Sequence, residues 1–69
     1  MNFELRENAD YIELTALLKA LRIAQTGGHA KIMVENGEVS VNGVLESRKR
    51  AKIKKGDIVE VNKMKVNVI

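Results

Sequence analysis

The clearest periodic signal in the chain lies between residues 14 and 21. Four leucines recur there at i, i+3, i+4 and i+7: Leu14, Leu17, Leu18 and Leu21. On an α-helix these positions share one face. The pattern therefore predicts a first helix whose leucine face is part of the core.

A second, shorter helix is predicted after the polar and glycine-rich break at residues 25–28. Thr26 is a good candidate N-cap because its hydroxyl can accept a hydrogen bond from a free backbone N–H group. Gly37 lies where the left-handed residue after a helix usually falls. An apolar stripe between them consists of Ala30, Met33 and Val34. Two short helices with a close connection predict a helical hairpin.

Alternating apolar and polar residues predict strands on both sides of these helices. The period of two appears at residues 2–6, 39–42 and 64–69. Val44 and Leu45 begin a return strand, and a further strand is predicted at residues 58–61. Asn42-Gly43 is typical of a two-residue type I′ turn, in which both residues have positive φ. Further turns are predicted at Gly56-Asp57 and Asn62-Lys63, and Met64 is expected in the core together with Met33.

These elements predict an α+β fold and one domain over residues 1–69. Two short helices, forming a helical hairpin, pack on a small, mainly antiparallel sheet of four to five strands. The expected order along the chain is strand, helix, helix and then several strands.

Size and composition favour a binding module over an enzyme. A chain of 69 residues has a core that contributes only a few kcal/mol of net stability, roughly 3–5 kcal/mol for domains of this size. It has no cysteine, and its one histidine is His29, so neither a metal site, a cofactor nor a catalytic constellation is predicted. Apolar runs are too short for a membrane span. We therefore expect a cytoplasmic, monomeric protein without a small-molecule substrate.

Charge changes this picture because it is local. The formal net charge is +3, but the part up to Asn36 has four bases and five acids, whereas the part from Gly37 has eight bases and four acids. Six cations fall within the eight residues 48–55, here called the basic run: Arg48, Lys49, Arg50, Lys52, Lys54 and Lys55. Like charges so close repel one another unless a polyanion or nearby acids compensate. We therefore favour binding of a polyanion over the simpler interpretation of the run as a solvated surface loop. For the conformation of the run, an irregular strand or loop is favoured over a helix.

The scarcity of aromatic residues indicates which kind of polyanion is bound. There are only two, Phe3 and Tyr11, and neither is expected to lie near the basic run. Modules that stack single-stranded bases on a sheet need exposed aromatic side chains. Phosphates and 2′-hydroxyls of a folded RNA, read by shape, suit the run better. Arg48 and Arg50 are suited to bidentate phosphate contacts and the lysines to act as point charges.

The segment TGGHAK, residues 26–31, offers a second candidate contact, here called the α2 start. The N-terminus of a helix presents free N–H groups and a positive dipole end to an anion, and glycines allow close approach. Simple capping explains the same residues and is preferred when they are considered alone. The segment is not a P-loop, because no GxxxxGK pattern is present. His29 is expected to be exposed or to cap the helix rather than act in catalysis.

The order of these parts resembles the S4-type, or alpha-L, RNA-binding domain. The shared features are a leucine-rich first helix, TGG.AK at the second, G.V.VNG at 37–43, a basic strand, and GD at 56–57 before a valine-rich strand. The resemblance covers about residues 14–61, roughly two-thirds of the chain. With its extra N-terminal strand and the segment ESRKRAKI, the chain looks most like the small stand-alone bacterial S4-like proteins of the YbcJ type.

The resemblance implies RNA binding through the second helix and the following hairpin. On this sequence, the candidate RNA-binding residues are Thr26, Gly27, Gly28, His29, Lys31, Asn42, Gly43, Arg48, Lys49, Arg50 and Lys52. Many such domains have an arginine early in the second helix, where this chain has His29 or Lys31, so a weaker phosphate grip is expected there. The expected function is non-catalytic binding of structured RNA, ribosomal or transfer RNA being candidates, with the ribosome or its precursor as a partner. The alternative is a protein-interaction module that docks on an acidic partner or an assembling ribosome.

Overall fold

A computed structural model describes all residues from Met1 to Ile69. It contains two helices and seven short strands. In chain order they are β1 (Asn2–Phe3), β2 (Ile12–Glu13), α1 (Leu14–Ala20), α2 (Gly27–Glu35), β3 (Val39–Val41), β4 (Val44–Leu45), β5 (Lys52–Ile53), β6 (Ile58–Val61) and β7 (Met64–Val68). Neither helix is long and apolar enough to cross a membrane.

Five of the strands form one mixed sheet in the order β1-β7-β6-β3-β4. All neighbours in it are antiparallel except β1 and β7, which are parallel. The predicted α+β architecture of two helices on a mainly antiparallel sheet is thus confirmed. The first strand is shorter than the predicted span of residues 2–6, although the Leu5 N–H still donates to the Ile69 carbonyl at 2.8 Å.

The second sheet, of only two strands, was not predicted. It pairs β2 with β5 antiparallel, with Ile12 opposite Ile53 and Glu13 opposite Lys52. Two-residue strands carry too little periodicity to be recognised in a sequence. This small sheet nevertheless decides where the basic run lies, because it joins that run to the start of α1.

The core forms where the leucine face of α1 meets the valines of the sheet. Its fully buried large side chains are Leu14, Leu17, Leu18, Val34, Val39, Ile53, Val59, Val61, Val66 and Val68. Met33 is also buried, but the prediction for Met64 is wrong, since that residue is 39% exposed. Met64 is the first residue after the Asn62-Lys63 turn, at the end of the β6–β7 hairpin, where burial is incomplete.

Both helices end in the same way. After α2, the Glu38 N–H donates to the Met33 carbonyl and the Gly37 N–H to the Val34 carbonyl, and Gly37 has φ of 76°. This is the predicted left-handed helix end. After α1, the residue in the equivalent position is Arg22, with φ of 60°, so a non-glycine residue adopts the left-handed conformation there.

Candidate nucleic-acid interface

Two buried side chains anchor the basic run to the protein. Ala51 and Ile53 are 7% and 1% exposed, whereas all six cations of the run are exposed. Because alternate residues of an extended chain point to opposite sides, burying Ala51 and Ile53 turns their neighbours outward. An open depression on this surface is lined by Arg48, Arg50, Ala51, Lys52 and Lys54.

The backbone of the same segment caps the first turn of α1. The Leu14 N–H donates to the Ala51 carbonyl at 2.9 Å, and the Thr15 N–H donates to the Lys49 carbonyl at 3.2 Å. These bonds satisfy N–H groups that have no partner within the helix. The run is therefore held by its backbone and its apolar side chains, and its six cationic residues are exposed.

Arg48 is paired with a nearby acid. Its Nε and Nη2 atoms lie 2.8 and 3.3 Å from the two carboxylate oxygens of Glu46, and its backbone N–H donates to the same carboxylate. The guanidinium hydrogen bond from Arg48 lowers the pKa of Glu46, and Glu46 in turn raises the pKa of Arg48. The Arg48 side chain is nonetheless 78% exposed, so an incoming phosphate can reach it in competition with Glu46.

Arg50 has a more distant partner. Its Nε lies 3.3 Å from Oε2 of Glu13, the residue that immediately precedes α1. This bond is longer than the Arg48–Glu46 contact and has one donor instead of two. Exposed single pairs of this kind contribute about 0–1 kcal/mol, so Arg50 is the less restrained of the two arginines.

A carboxylate connects the hairpin tip with the end of the basic run. Asp57 accepts from the Lys54 N–H at 2.7 Å and from the Asn42 side-chain amide at 3.0 Å, and the Asn42 amide oxygen accepts from the Ile58 N–H. Asn42 and Gly43 have φ of 53° and 83°, which confirms the predicted type I′ turn. The VNG and GD motifs are thus in direct contact. Both the amide nitrogen and the amide oxygen of Asn42 are engaged in these hydrogen bonds. An RNA contact by Asn42 or Gly43 stays a prediction.

The α2 start has the predicted cap. The His29 N–H donates to the Thr26 hydroxyl at 3.0 Å, and the Gln25 N–H donates to Nδ1 of His29 at 3.3 Å. This reciprocal arrangement resembles a capping box and leaves only Nε2 of the imidazole free. His29 therefore caps the helix, as the simpler interpretation predicted, and both His29 and Lys31 are exposed.

Packing does not require the two glycines of the α2 start. A Cβ atom at Gly27 would meet nothing within 4 Å, and one at Gly28 only the Thr26 hydroxyl at 3.9 Å. Neither has a positive φ. Glycine costs roughly 0.5–1 kcal/mol relative to alanine inside a helix. Their presence at an open surface is consistent with close approach of a ligand.

The two candidate regions lie towards different ends of α1. The basic run bonds to the first residues of that helix, whereas the approach to α2 folds onto its C-terminal half, where the Ala24 N–H donates to the Leu18 carbonyl. Seven helical residues correspond to about 10 Å. No hydrogen bond or ion pair joins residues 48–50 to α2, so contact of both regions with one RNA stays a prediction.

The prediction that neither aromatic residue lies near the basic run is wrong. Tyr11 is close to the basic run in space: Nζ of Lys52 lies 5.1 Å from the centroid of its ring, and the tyrosine is 42% exposed. The β2–β5 pairing causes this proximity, because it brings residues 12 and 53 opposite each other. An aromatic side chain is therefore available beside the cations.

The structure also shows which cations share a surface, which the sequence did not indicate. Lys54, which was not among the candidate residues, lines the same depression as Arg48 and Arg50, whereas Lys55 lines a separate recess with Glu4 and Glu7. Lys19 and Arg22 line another depression with Gln25, next to the α2 start. The sequence does contain a pattern that predicts the position of Lys54: the cations at 50, 52 and 54 alternate with the apolar residues Ala51 and Ile53. No local pattern indicates that Lys19 and Arg22 lie beside the α2 start.

The family model of the S4 domain matches residues 3–69. The chain belongs to the S4 domain family. The YbcJ proteins of Escherichia coli (strain K12) and Shigella flexneri are each 39% identical to this S4 domain over 59 residues, which cover 86% of the chain and 84% of each relative.

Solved structures agree with this membership. The solution structure of E. coli YbcJ, described as containing an alpha-L motif involved in RNA binding, aligns with a TM-score of 0.72 and 37% identity over 99% of this S4 domain and 85% of that chain. The 30S ribosomal protein S4e of Thermoplasma acidophilum aligns with a TM-score of 0.70 and 20% identity, over 84% of this chain and 31% of the other. The latter likeness shows the fold alone. The predicted alpha-L fold is confirmed.

Proposed function

We propose that this S4 domain is a non-catalytic module that binds structured RNA, with ribosomal and transfer RNA as the candidate classes, mainly through phosphates. The observation that carries the proposal is the open depression lined by Arg48, Arg50, Lys52 and Lys54. Four outward cations around one buried alanine present a concave positive surface, and Arg side chains suit phosphate geometry. The description of YbcJ as having an RNA-binding motif supports the same function.

The α2 start and the hairpin tip complete the proposed interface. The α2 start would contribute its free backbone N–H groups, Nε2 of His29 and the cation of Lys31; its residues in the interface are Thr26, Gly27, Gly28, His29 and Lys31. The hairpin tip would contribute Asn42 and Gly43. Asp57 links this tip to the basic run, because it accepts hydrogen bonds from both Asn42 and Lys54. Lys49 would add a further point charge. We propose that the domain binds RNA as a monomer and that this RNA is part of the ribosome or of a ribosomal precursor.

A salt series tests the phosphate contacts. With four phosphates neutralised, the slope of log affinity against log salt should be about −3 to −4. The Arg48→Ala/Arg50→Ala variant should bind a folded RNA roughly tenfold or more weakly and reduce the magnitude of the slope by about 2. Filter binding measures both quantities, and circular dichroism checks that the fold is kept.

A matched control removes two cations elsewhere. Lys63 and Lys65 are exposed and outside the depression, so Lys63→Ala/Lys65→Ala changes the net charge equally. It should weaken binding much less. Equal losses for the two double variants would show that net charge alone drives binding and would contradict the proposed interface.

The alternative, docking on an acidic protein, uses the same cations. Co-purification before and after nuclease treatment separates the two functions. Loss of partners after the treatment supports RNA as the ligand. Partners that persist and depend on Arg48 and Arg50 would favour the protein-interaction module.

A further inference from the structure

Tyr11 lines an apolar recess and lies close to one residue of the basic depression. Its ring is 5.1 Å from Nζ of Lys52, which lines the depression with Arg50. The recess has a volume of about 340 Å³, and its other walls are Phe3, Leu5, Arg6, Ala9, Ile12 and Ala20. All but one of the residues around the recess are apolar. The two surfaces are thus adjacent, one suited to phosphate and one to a flat apolar group.

This juxtaposition matches the two parts of a nucleotide. A base needs an aromatic or apolar surface to stack on, and the phosphates beside it need cations. The recess is near the lower limit of the roughly 300–1,000 Å³ usual for small-ligand pockets, which suits one planar ring system. Arg6 at its wall adds a hydrogen-bond donor for a base edge.

We propose that the Tyr11 recess takes one unpaired nucleobase of the bound RNA, while the neighbouring phosphates lie on Arg50 and Lys52. The inference rests on the proposed function and adds a ligand class to it. Only one exposed aromatic side chain is beside the run, so one base stacks rather than the two or three that sheet-based modules hold. Bases inside a duplex are already stacked, so the recess selects a bulged, looped or terminal nucleotide.

The test compares two RNA hairpins that differ by one nucleotide. One is fully paired in its stem, and the other has a single bulged 2-aminopurine. The wild-type domain should bind the bulged hairpin roughly tenfold more tightly and should change the fluorescence of 2-aminopurine when the base enters the recess. Equal affinity for the two hairpins, with no change in fluorescence, would overturn the inference.

Two variants assign the preference to the ring. Tyr11→Leu should lose the preference for the bulged hairpin to within about twofold, whereas Tyr11→Phe should keep it because the aromatic face remains. If Tyr11→Leu weakened both hairpins equally, Tyr11 would act only by positioning Lys52, and the stacking role would be wrong. Should Tyr11→Leu fail to fold, the fluorescence of the wild type and of Tyr11→Phe still decides the question.

Failure of this inference is distinguishable from failure of the proposed function. Arg48→Ala, which removes a cation of the depression that the bulged nucleotide does not use, should weaken both hairpins by the same factor and leave the preference for the bulge unchanged. Salt-dependent binding without any bulge preference would overturn the Tyr11 role and keep the phosphate interface. Absence of binding to either hairpin would overturn both.

Discussion

The basic run and the α2 start present positive potential in two different ways. The run carries full charges on long, exposed side chains, held outward by the burial of Ala51 and Ile53. The α2 start has a single cation, Lys31, and otherwise offers backbone N–H groups beside two glycines. In the proposed interface, the first region would attract a polyanion from a distance, and the second would make short, directional contacts.

The two regions also depend on different parts of the structure. The Thr26 cap is formed within four residues, so it belongs to the helix itself. The basic run depends on a strand pairing and on bonds to α1, with partners more than thirty residues away. Disturbing the core should therefore affect the run more than the α2 start.

The largest expected effect follows removal of the anchor of the run. Ile53→Ala empties a fully buried site next to α1 and should lower the free energy of unfolding by about 2–5 kcal/mol. Urea denaturation measures the loss. Ile32→Ala is the matched control, since Ile32 is 54% exposed on α2 and should change stability by less than about 0.5 kcal/mol.

The RNA affinity of folded Ile53→Ala tests whether the basic run needs this anchor. At a temperature where that variant is still folded, its RNA affinity should fall because the cations lose their fixed positions. Wild-type affinity together with the expected destabilisation would show that the run does not need its anchor.

A smaller effect is expected at the cap of α2. Thr26→Ala removes the acceptor for the His29 N–H and should cost about 1 kcal/mol. Thr26→Ser retains the hydroxyl and should remain near wild type. Thermal unfolding of the three proteins measures the difference, and identical midpoints would mean that the cap does not stabilise the helix.

The glycines of the α2 start should show a conflict between stability and binding. Gly28→Ala should raise the free energy of unfolding by at most about 1 kcal/mol, because alanine favours the helix and its Cβ would meet only the Thr26 hydroxyl at 3.9 Å. If a phosphate approaches there, the same variant binds RNA more weakly. A more stable variant with unchanged affinity would limit the interface to the basic run.

The smallest effect is expected from the acid beside Arg48. Glu46→Gln removes the competitor of the phosphate and should raise RNA affinity about two- to fivefold, the size of an exposed ion pair. Glu35→Gln changes the net charge equally but frees no arginine, so its effect should be smaller. Equal effects in filter binding would show that the pair does not restrain Arg48.

The pH dependence of the same variant has a definite sign. Because Arg48 lowers the pKa of Glu46, the pair contributes stability above the ordinary carboxyl pKa and loses it as the pH falls through the lowered value. The difference in unfolding free energy between wild type and Glu46→Gln should therefore shrink in acid. A constant difference down to low pH would contradict this coupling.

What the sequence by itself determined is local in origin. The leucine period of α1 is a spacing of three to four residues, and the Thr26 cap, Gly37 and the Asn42-Gly43 turn form within a few residues, so their patterns were readable without the fold. The dense cations of the run were likewise evident, and the order of motifs indicated the S4 domain.

Only the tertiary structure decided how the surfaces meet. The β2–β5 pairing, too short to leave a periodic pattern, brought Tyr11 to Lys52. The same fold placed Lys54 with the arginines, separated Lys55 from them and left Met64 partly exposed. Pairings between distant residues depend on which surfaces the core brings together, and no local pattern specifies that.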